Sequence, residues 1–179
     1  PRRATPPPGG GLLRDARHPD LGAVRRGTGR EVVRGCGVGQ NRGGAVFAES
    51  DDIDAAAAVL TMDDGTIALI SGSRYNARGY DVRLEALGSK DSVCVGMDDR
   101  LPLRSVEQGV DLPSAVAYTD FIERFHQAYV DEMVAFTDLV AGRIETPCSV
   151  QGALAAFRSA EACARSRRPG RPVRMDEVG

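Results

Sequence analysis

Asp15, His18 and Asp20 lie close together in a proline- and arginine-rich stretch and are of the types that move protons. An imidazole titrates near neutrality and a neighbouring carboxylate can orient it, which is the minimum equipment for general acid–base chemistry. The other histidine, His126, falls beside an apolar stripe with helical spacing, where a packed or partly exposed ring is expected. No GxSxG elbow accompanies either histidine, so nucleophilic hydrolysis gains no support. Cys36, Cys94, Cys148 and Cys163 are widely spaced and form no CxxC pair or Cys/His cluster. They signal neither a metal site nor a disulfide framework and are expected to be small buried hydrophobes.

The run Gly35-Cys36-Gly37-Val38-Gly39-Gln40 has to be tested as a phosphate-binding loop. From Gly35 or from Gly37 the third glycine of GxGxxG is missing. The polar residues that follow lead into a strand, so no helix amino terminus is offered to a pyrophosphate. The stretch is expected to be a glycine-rich strand edge, and no residue of the chain is assigned to cofactor binding.

The elements that position these groups follow from periodicity and turn chemistry. Valines with glycine punctuation predict a strand over Glu31–Gln40, and Ile53–Thr61 passes through Asp63-Asp64-Gly65 into Thr66–Ser73. An Asp-Gly step between two apolar runs marks a hairpin, and here it outweighs the helical preference of Ala55–Ala58. Tyr80–Leu87 alternates as a half-buried strand, and Gly88-Ser89-Lys90-Asp91 turns it into Ser92–Val95, completing an antiparallel meander covered on one face. A polar loop from Asp98 to Ala117 precedes two helices. In the first, Phe121, Phe125, Tyr129, Met133, Phe136 and Val140 form an apolar stripe read as core, with Asp120 and Glu123 as a partial capping box. The second follows Pro147, with Ser149 as cap and Leu154, Phe157, Ala160 and Ala164 on its apolar face. It ends in arginines and Pro169-Gly170.

The length of 179 residues with 42% hydrophobic content suits one core without staples. Residues 1–8 are expected to be a disordered tail and 9–179 the folded domain. Eight arginines against Asp15, Asp20 and Glu31 give residues 1–34 a net charge of +5, leaving −7 for the remainder. No aromatic interleaving or nucleic-acid module accompanies that basic stretch, so a nucleic-acid partner is not expected. No apolar run is long enough to span a bilayer and no apolar signal segment opens the chain, which implies no membrane partner and a cytoplasmic protein.

Taken together, Gly10-Gly11-Leu12-Leu13-Arg14-Asp15, Thr28-Gly29-Arg30-Glu31-Val32, and Gly79-Tyr80-Asp81-Val82-Arg83-Leu84-Glu85 ahead of Leu87-Gly88-Ser89-Lys90 resemble the Gfo/Idh/MocA oxidoreductases, and within them the inositol 2-dehydrogenases. The resemblance runs from about Gly9 to Val178. It implies an α/β (α+β) domain, an open, mostly antiparallel sheet with helices on one face, that shapes a polyol or sugar site and packs against neighbouring subunits as a homo-oligomer. The Rossmann domain that binds NAD or NADP in the family is absent, so the cofactor is not expected to bind this chain alone. Family catalysis uses an upstream lysine with a D-x-x-x-H pair that withdraws the hydroxyl proton as hydride leaves. The aspartate maps to Asp15, but the histidine position holds Pro19, with His18 one place early. A one-residue displacement turns a helical side chain by roughly 100 degrees, so His18 is a displaced candidate. Gly22, Arg26 and Gly27 should weaken the helix that presents the base.

The same resemblance places Tyr80 beside the substrate, where its phenol could bond a polyol hydroxyl; alternatively its ring anchors the sheet edge. Asp15 is either a retained site residue or a helix cap. Arg74 and Asn76 are candidates for the same pocket by proximity. The functional expectation is the substrate side of an NAD(P)-dependent polyol dehydrogenase, inactive as this chain alone. The alternatives are a non-catalytic oligomerisation module or a truncated remnant.

Overall fold

The computed structural model describes residues 11–14, 18–43, 45–110 and 115–179, with the backbone alone at positions 18 and 19. In chain order the elements are α1 (His18–Thr28), β1 (Val32–Gln40), α2 (Ala45–Ala48), β2 (Ala55–Met62), β3 (Ile67–Ser73), β4 (Leu84–Leu87), β5 (Ser92–Val95), α3 (Phe121–Arg124), α4 (His126–Val140), α5 (Val150–Ser166) and β6 (Val173–Arg174), with a closing 3₁₀ turn at Met175–Glu177. They divide between two compact units, one of Pro1–Tyr75 with Pro147–Gly179 and the other of Asn76–Thr146. The expected tail at residues 1–8 lies outside the described residues.

In the first unit the strands run antiparallel in the order β3-β2-β1-β6. The β2–β3 hairpin closes as its turn chemistry demands. Gly65 takes φ +88°, the Met62 N–H donates to the Thr66 carbonyl at 2.8 Å, and Asp64 Oδ1 accepts the Thr66 N–H at 2.9 Å. The alanine run is strand, paired on one side with Gly37–Gln40 and on the other with Ile70–Ser73.

Strand alternation sends Val32, Ala58, Leu60, Met62 and Ile70 into a core shared with Leu12, Leu13 and Leu21. The helix α1 forms despite Gly22 and Gly27, because Leu21 is buried and the Arg25 guanidinium donates both to Glu31 and, at 3.0 Å, to the Gly152 carbonyl of α5. The opposite sheet face leaves Val38, Val59, Ile67 and Leu69 exposed, Leu69 at 79%.

Helix α5 starts at Ser149, whose Oγ accepts the Gly152 N–H at 3.1 Å. Its buried face is Ala156, Ser159, Ala160, Cys163 and Ser166, while Leu154 and Phe157 are about half exposed, contrary to the face expected from size alone. The small face is required because β1 presents glycine to it. A Cβ on Gly35 would lie 2.8 Å from Cys163 Sγ, and one on Gly37 only 2.5 Å from the Cys163 carbonyl oxygen. The glycine run is therefore a close-packing surface. Beyond Gly35, where β6 stops pairing, the Gly37 N–H donates to Ser166 Oγ at 2.5 Å, and that hydroxyl donates to the Cys163 carbonyl at 2.8 Å. Burial pushes the Cys163 thiol up to about 12, with the nearby Cys36 adding to the shift. Cys94 and Cys148 are exposed and Cys36 is half-buried, not buried as expected: Cys94 lies on β5, all four of whose residues are exposed, and Cys148 in the exposed bend before α5.

In the second unit β4 and β5 form a separate two-stranded sheet through a turn in which the Gly88 N–H donates to the Asp91 carbonyl at 2.9 Å. The expected fourth strand of the meander is thus replaced. Only Leu84–Leu87 is strand, all four residues are exposed, and residues 80–83 run irregularly. Asp120 caps α3, accepting the Glu123 N–H at 3.0 Å as anticipated. The single helix expected here is interrupted at Phe125, where the backbone leaves helical geometry at φ −108° and ψ 21°. Its apolar stripe is not core: α4 has no buried residue, and Met133 and Phe136 are more than half exposed. Periodicity reports which residues share a face and carries no information on what covers it.

Two predictions follow from this packing. Gly37→Val would drive a branched side chain into the α5 backbone and lower unfolding free energy by about 3 kcal/mol or more in urea titration. Glu161 accepts from Arg14 Nε at 2.5 Å and from Arg165 Nε at 2.8 Å, and the Arg14 bond first, with Arg165 assisting, holds its carboxyl below its ordinary value. The stabilisation is therefore complete above the ordinary carboxylate range and is lost as pH falls through the depressed value. Glu161→Gln should cost about 1 kcal/mol at pH 7, and wild type and variant should converge in acid unfolding titrations below that range.

Candidate functional site

The turn that precedes Asp15 is held by a chain of polar contacts. Asp52 Oδ1 accepts the Leu12 N–H at 3.0 Å, and its Oδ2 takes the Arg74 guanidinium at 2.6 Å. Arg74 Nε also donates to the Ile53 carbonyl at 3.3 Å, and its guanidinium stacks 4.6 Å above the Phe47 ring. Both partners are largely buried, with side-chain exposures of 16% for Arg74 and 11% for Asp52. Gly11 gives Asp52 room, since a Cβ there would meet Oδ1 at 2.6 Å. Leu12 and Leu13 anchor the turn in the core, and Arg14 pairs with Glu161. Asp15 itself lies outside the described residues, and His18 opens α1 as backbone only.

The neighbouring Asp54 is buried and accepts the N–H groups of Arg42, at 3.0 Å, and Gly43, at 2.7 Å, fixing the loop after β1. Sequence reasoning passed over Asp52 and Asp54. Their signal is an acidic run, Asp51-Asp52-Ile53-Asp54, entering an apolar strand, where charge has to be matched locally.

Arg74 belongs to the first unit, Asn76 and Tyr80 to the second. Asn76 is exposed and builds a turn: its Oδ1 accepts the Arg78 N–H at 3.2 Å and its carbonyl the Gly79 N–H at 3.3 Å. Gly79 sits at φ +143°, and a Cβ there would lie 2.7 Å from that of Ala117. The Tyr80 N–H donates to the Tyr118 carbonyl at 2.7 Å. Its half-buried ring packs against Phe121 and, edge-on at 6.2 Å, against Phe125.

Tyr118 is held in turn. The guanidinium groups of Arg100, at 3.9 Å, and Arg124, at 4.9 Å, both stack on its ring, while its hydroxyl donates to Asp98 at 3.1 Å. Arg124 completes the set with a 3.2 Å ion pair to Asp98. The Thr119 N–H and then Arg100 hold the Glu123 carboxyl down at about 2. Tyr118 and Asp98 escaped the sequence reading because they act across a polar loop with no periodicity.

The family's dinucleotide can be tested against these residues, and they do not fit it. The inner face of the glycine run in β1 is filled by α5, and the end of α5 near Gly37 is its carboxy terminus, the wrong pole for a pyrophosphate. Among the described residues every strand pair is antiparallel, and no three His, Cys, Asp or Glu side chains gather to hold a metal ion. Among the same residues no helix is long and apolar enough to cross a membrane.

Comparison with known proteins agrees with this architecture. Residues 26–175 match the family model described as the oxidoreductase family, C-terminal alpha/beta domain. The chain is 32% identical over 170 residues to an uncharacterized oxidoreductase, YrbE, of Bacillus subtilis, covering 94% of this chain and 49% of that protein. It is 28% identical over 184 residues to the myo-inositol 2-dehydrogenase of Thermotoga maritima, covering 99% and 54%. The crystal structure of a scyllo-inositol dehydrogenase from Lactobacillus casei with bound NAD(H) and scyllo-inositol superposes with a TM-score of 0.81 at 25% identity, over 95% of this chain and 50% of that one. The chain thus spans about half the length of the curated relatives it matches. On the strength of the matched span and the sheet described above, the chain belongs to the Gfo/Idh/MocA oxidoreductase family, to its C-terminal alpha/beta domain.

Proposed function

We propose that residues 9–179 form the substrate-side domain of an NAD(P)-dependent oxidoreductase that acts on a CH–OH group of a polyol of the inositol class, and that this chain alone turns nothing over. The observation that carries the reading is likeness to inositol dehydrogenases along nearly the whole chain. In this reading the Tyr80 phenol bonds a polyol hydroxyl, with its backbone set by Gly79 and Tyr118, and Asn76 shapes the turn leading to it. Asp15 is a retained site carboxylate, and Arg74, through Asp52, holds the turn that leads to it. With Pro19 at the histidine position, His18 would have to supply the imidazole from a displaced place, and catalytic geometry tolerates little displacement. The cofactor, NAD or NADP, belongs to a nucleotide-binding domain outside this chain, and the protein works in the cytoplasm.

A second reading, an assembly module that pairs with another copy, is favoured by one observation. The outer sheet face leaves Val59, Ile67 and Leu69 exposed, and bare apolar sheet invites burial.

Four measurements test these proposals. Calorimetric titration should show no saturable NAD⁺ binding by the chain, and micromolar binding would refute the assignment of the cofactor to another domain. Binding of scyllo-inositol, followed by NMR, should weaken about fivefold in Tyr80→Phe from loss of one hydrogen bond; unchanged binding removes Tyr80 from the site. Asp52→Ala should cost about 3 kcal/mol and strip the Leu12 amide of hydrogen-exchange protection. In sedimentation, Leu69→Glu should convert a dimer to monomer, and a wild-type monomer at high concentration eliminates the assembly reading.

A further inference from the structure

We propose that the open edge of β3 is an interaction surface for a second copy of this chain, which adds to it antiparallel so that the four-stranded sheets of two molecules run on as one. The inference rests on the assembly reading and gives it a geometry, edge to edge instead of face to face.

The two ends of the sheet are built differently. At one end β6 covers Arg34 and Gly35, and the Ser166 hydroxyl takes the Gly37 amide beyond them. At the other end lies β3, seven residues long, and among the described residues no strand pairs with its far side. The ends of its ladder with β2 fix which groups are left over. The Met62 N–H donates to the Thr66 carbonyl and the Arg74 N–H to the Asp54 carbonyl, each at 2.8 Å, so Ala68, Ile70 and Gly72 turn their backbone groups to β2. Ile67, Leu69, Ser71 and Ser73 turn theirs outward.

Proteins blunt such edges with proline, lysine or a bulge. The edge of β3 carries none of them: residues 66–73 hold no charge and no proline, so two copies meet without repulsion, and the register with β2 is unbroken. The strand is instead its own complement. A two-fold axis at Ile70 sets Ile67 against Ser73 and Leu69 against Ser71 on the outer face, and Ala68 against Gly72 on the inner one. In each of these pairs the larger side chain meets the smaller, and every outward N–H meets an outward carbonyl. Sliding the partner by two residues either opposes Leu69 to itself and leaves Ser73 unpaired, or leaves Ile67 unpaired. Ile67 and Leu69, both more than half exposed in the single copy, gain neighbours across the seam.

The test is sedimentation and amide hydrogen exchange of the chain across a range of concentrations. A dimer is expected, with the amides of Ile67, Leu69, Ser71 and Ser73 gaining protection as it forms, while those of Ala68, Ile70 and Gly72 are protected throughout. Ser71→Pro removes an N–H that points away from β2 and so spares the sheet. It should weaken dimerisation about thirtyfold, through one hydrogen bond lost on each side of the axis. Val38→Glu, on the outer face of β1 and away from the edge, should leave the dimer intact. Thermal unfolding verifies that both variants are folded. A synthetic peptide of residues 66–74 should shift the four edge amides; a scrambled peptide that does so equally would make the edge a general strand acceptor and overturn the assignment to a second copy. A dimer that forms without protecting those amides, or that survives Ser71→Pro and falls to Val38→Glu, stacks face to face, which overturns the edge pairing and leaves the assembly reading standing. A monomer at every concentration removes both.

Discussion

A Cβ on residue 37 would sit 2.5 Å from the carbonyl oxygen of Cys163, and this separation governs the first unit. It allows a helix backbone to lie directly on a strand backbone, with no side-chain layer between them. Everything that α5 presents inward must then be small, which is why Ala156, Ser159, Ala160 and Cys163 fill its buried face while Leu154 and Phe157 turn outward. The same closeness puts the Ser166 hydroxyl within reach of the Gly37 amide, where the sheet has run out of partners. One polar side chain near the end of a helix thus does the work of an absent strand.

From that foundation the polar contacts propagate to the turn that precedes Asp15. With α5 fixed on β1, Glu161 is placed to take Arg14, and Asp52 and Arg74 hold the other side of the same turn. The backbone leading to Asp15 is therefore restrained by two separate ion pairs and two buried leucines, independently of whether the chemistry beyond it is intact. In the second unit the Asp98, Arg100, Tyr118 and Arg124 group performs the corresponding task for Tyr80. Both arrangements put an arginine against an aromatic face and a carboxylate together, a combination that fixes orientation as well as charge.

What could be read from the chain beforehand were the features governed by neighbours in sequence. The Asp64-Gly65 hairpin, the Asp120 and Ser149 caps and the turn at Gly88 each depend on a few consecutive residues. What could not be read depends on partners far along the chain. The glycines of β1 beyond Gly35 do border an open sheet edge as expected, but their purpose, admission of α5, lies more than a hundred residues downstream. Tyr80–Leu87 alternates as a sheet strand should, yet the Tyr80 amide is taken by the Tyr118 carbonyl and the strand begins only at Leu84. The stripe on α4 was correctly periodic and wrongly assigned to the core. Of the candidate site, Tyr80 is proposed from its Gly-Tyr-Asp setting, whereas the supporting contacts of Asp52 and Tyr118 came to light only in three dimensions.

The burial of Cys163 gives the protein an internal clock. A thiol kept protonated and shielded between helix and sheet cannot attack an alkylating reagent while α5 is seated. Cys94, on the exposed β5, and Cys148, also exposed, are open to the same reagent at once. The lag between labelling of the exposed thiols and labelling of Cys163 therefore measures how often the helix lifts from the glycine strand, under native conditions and without any engineered probe.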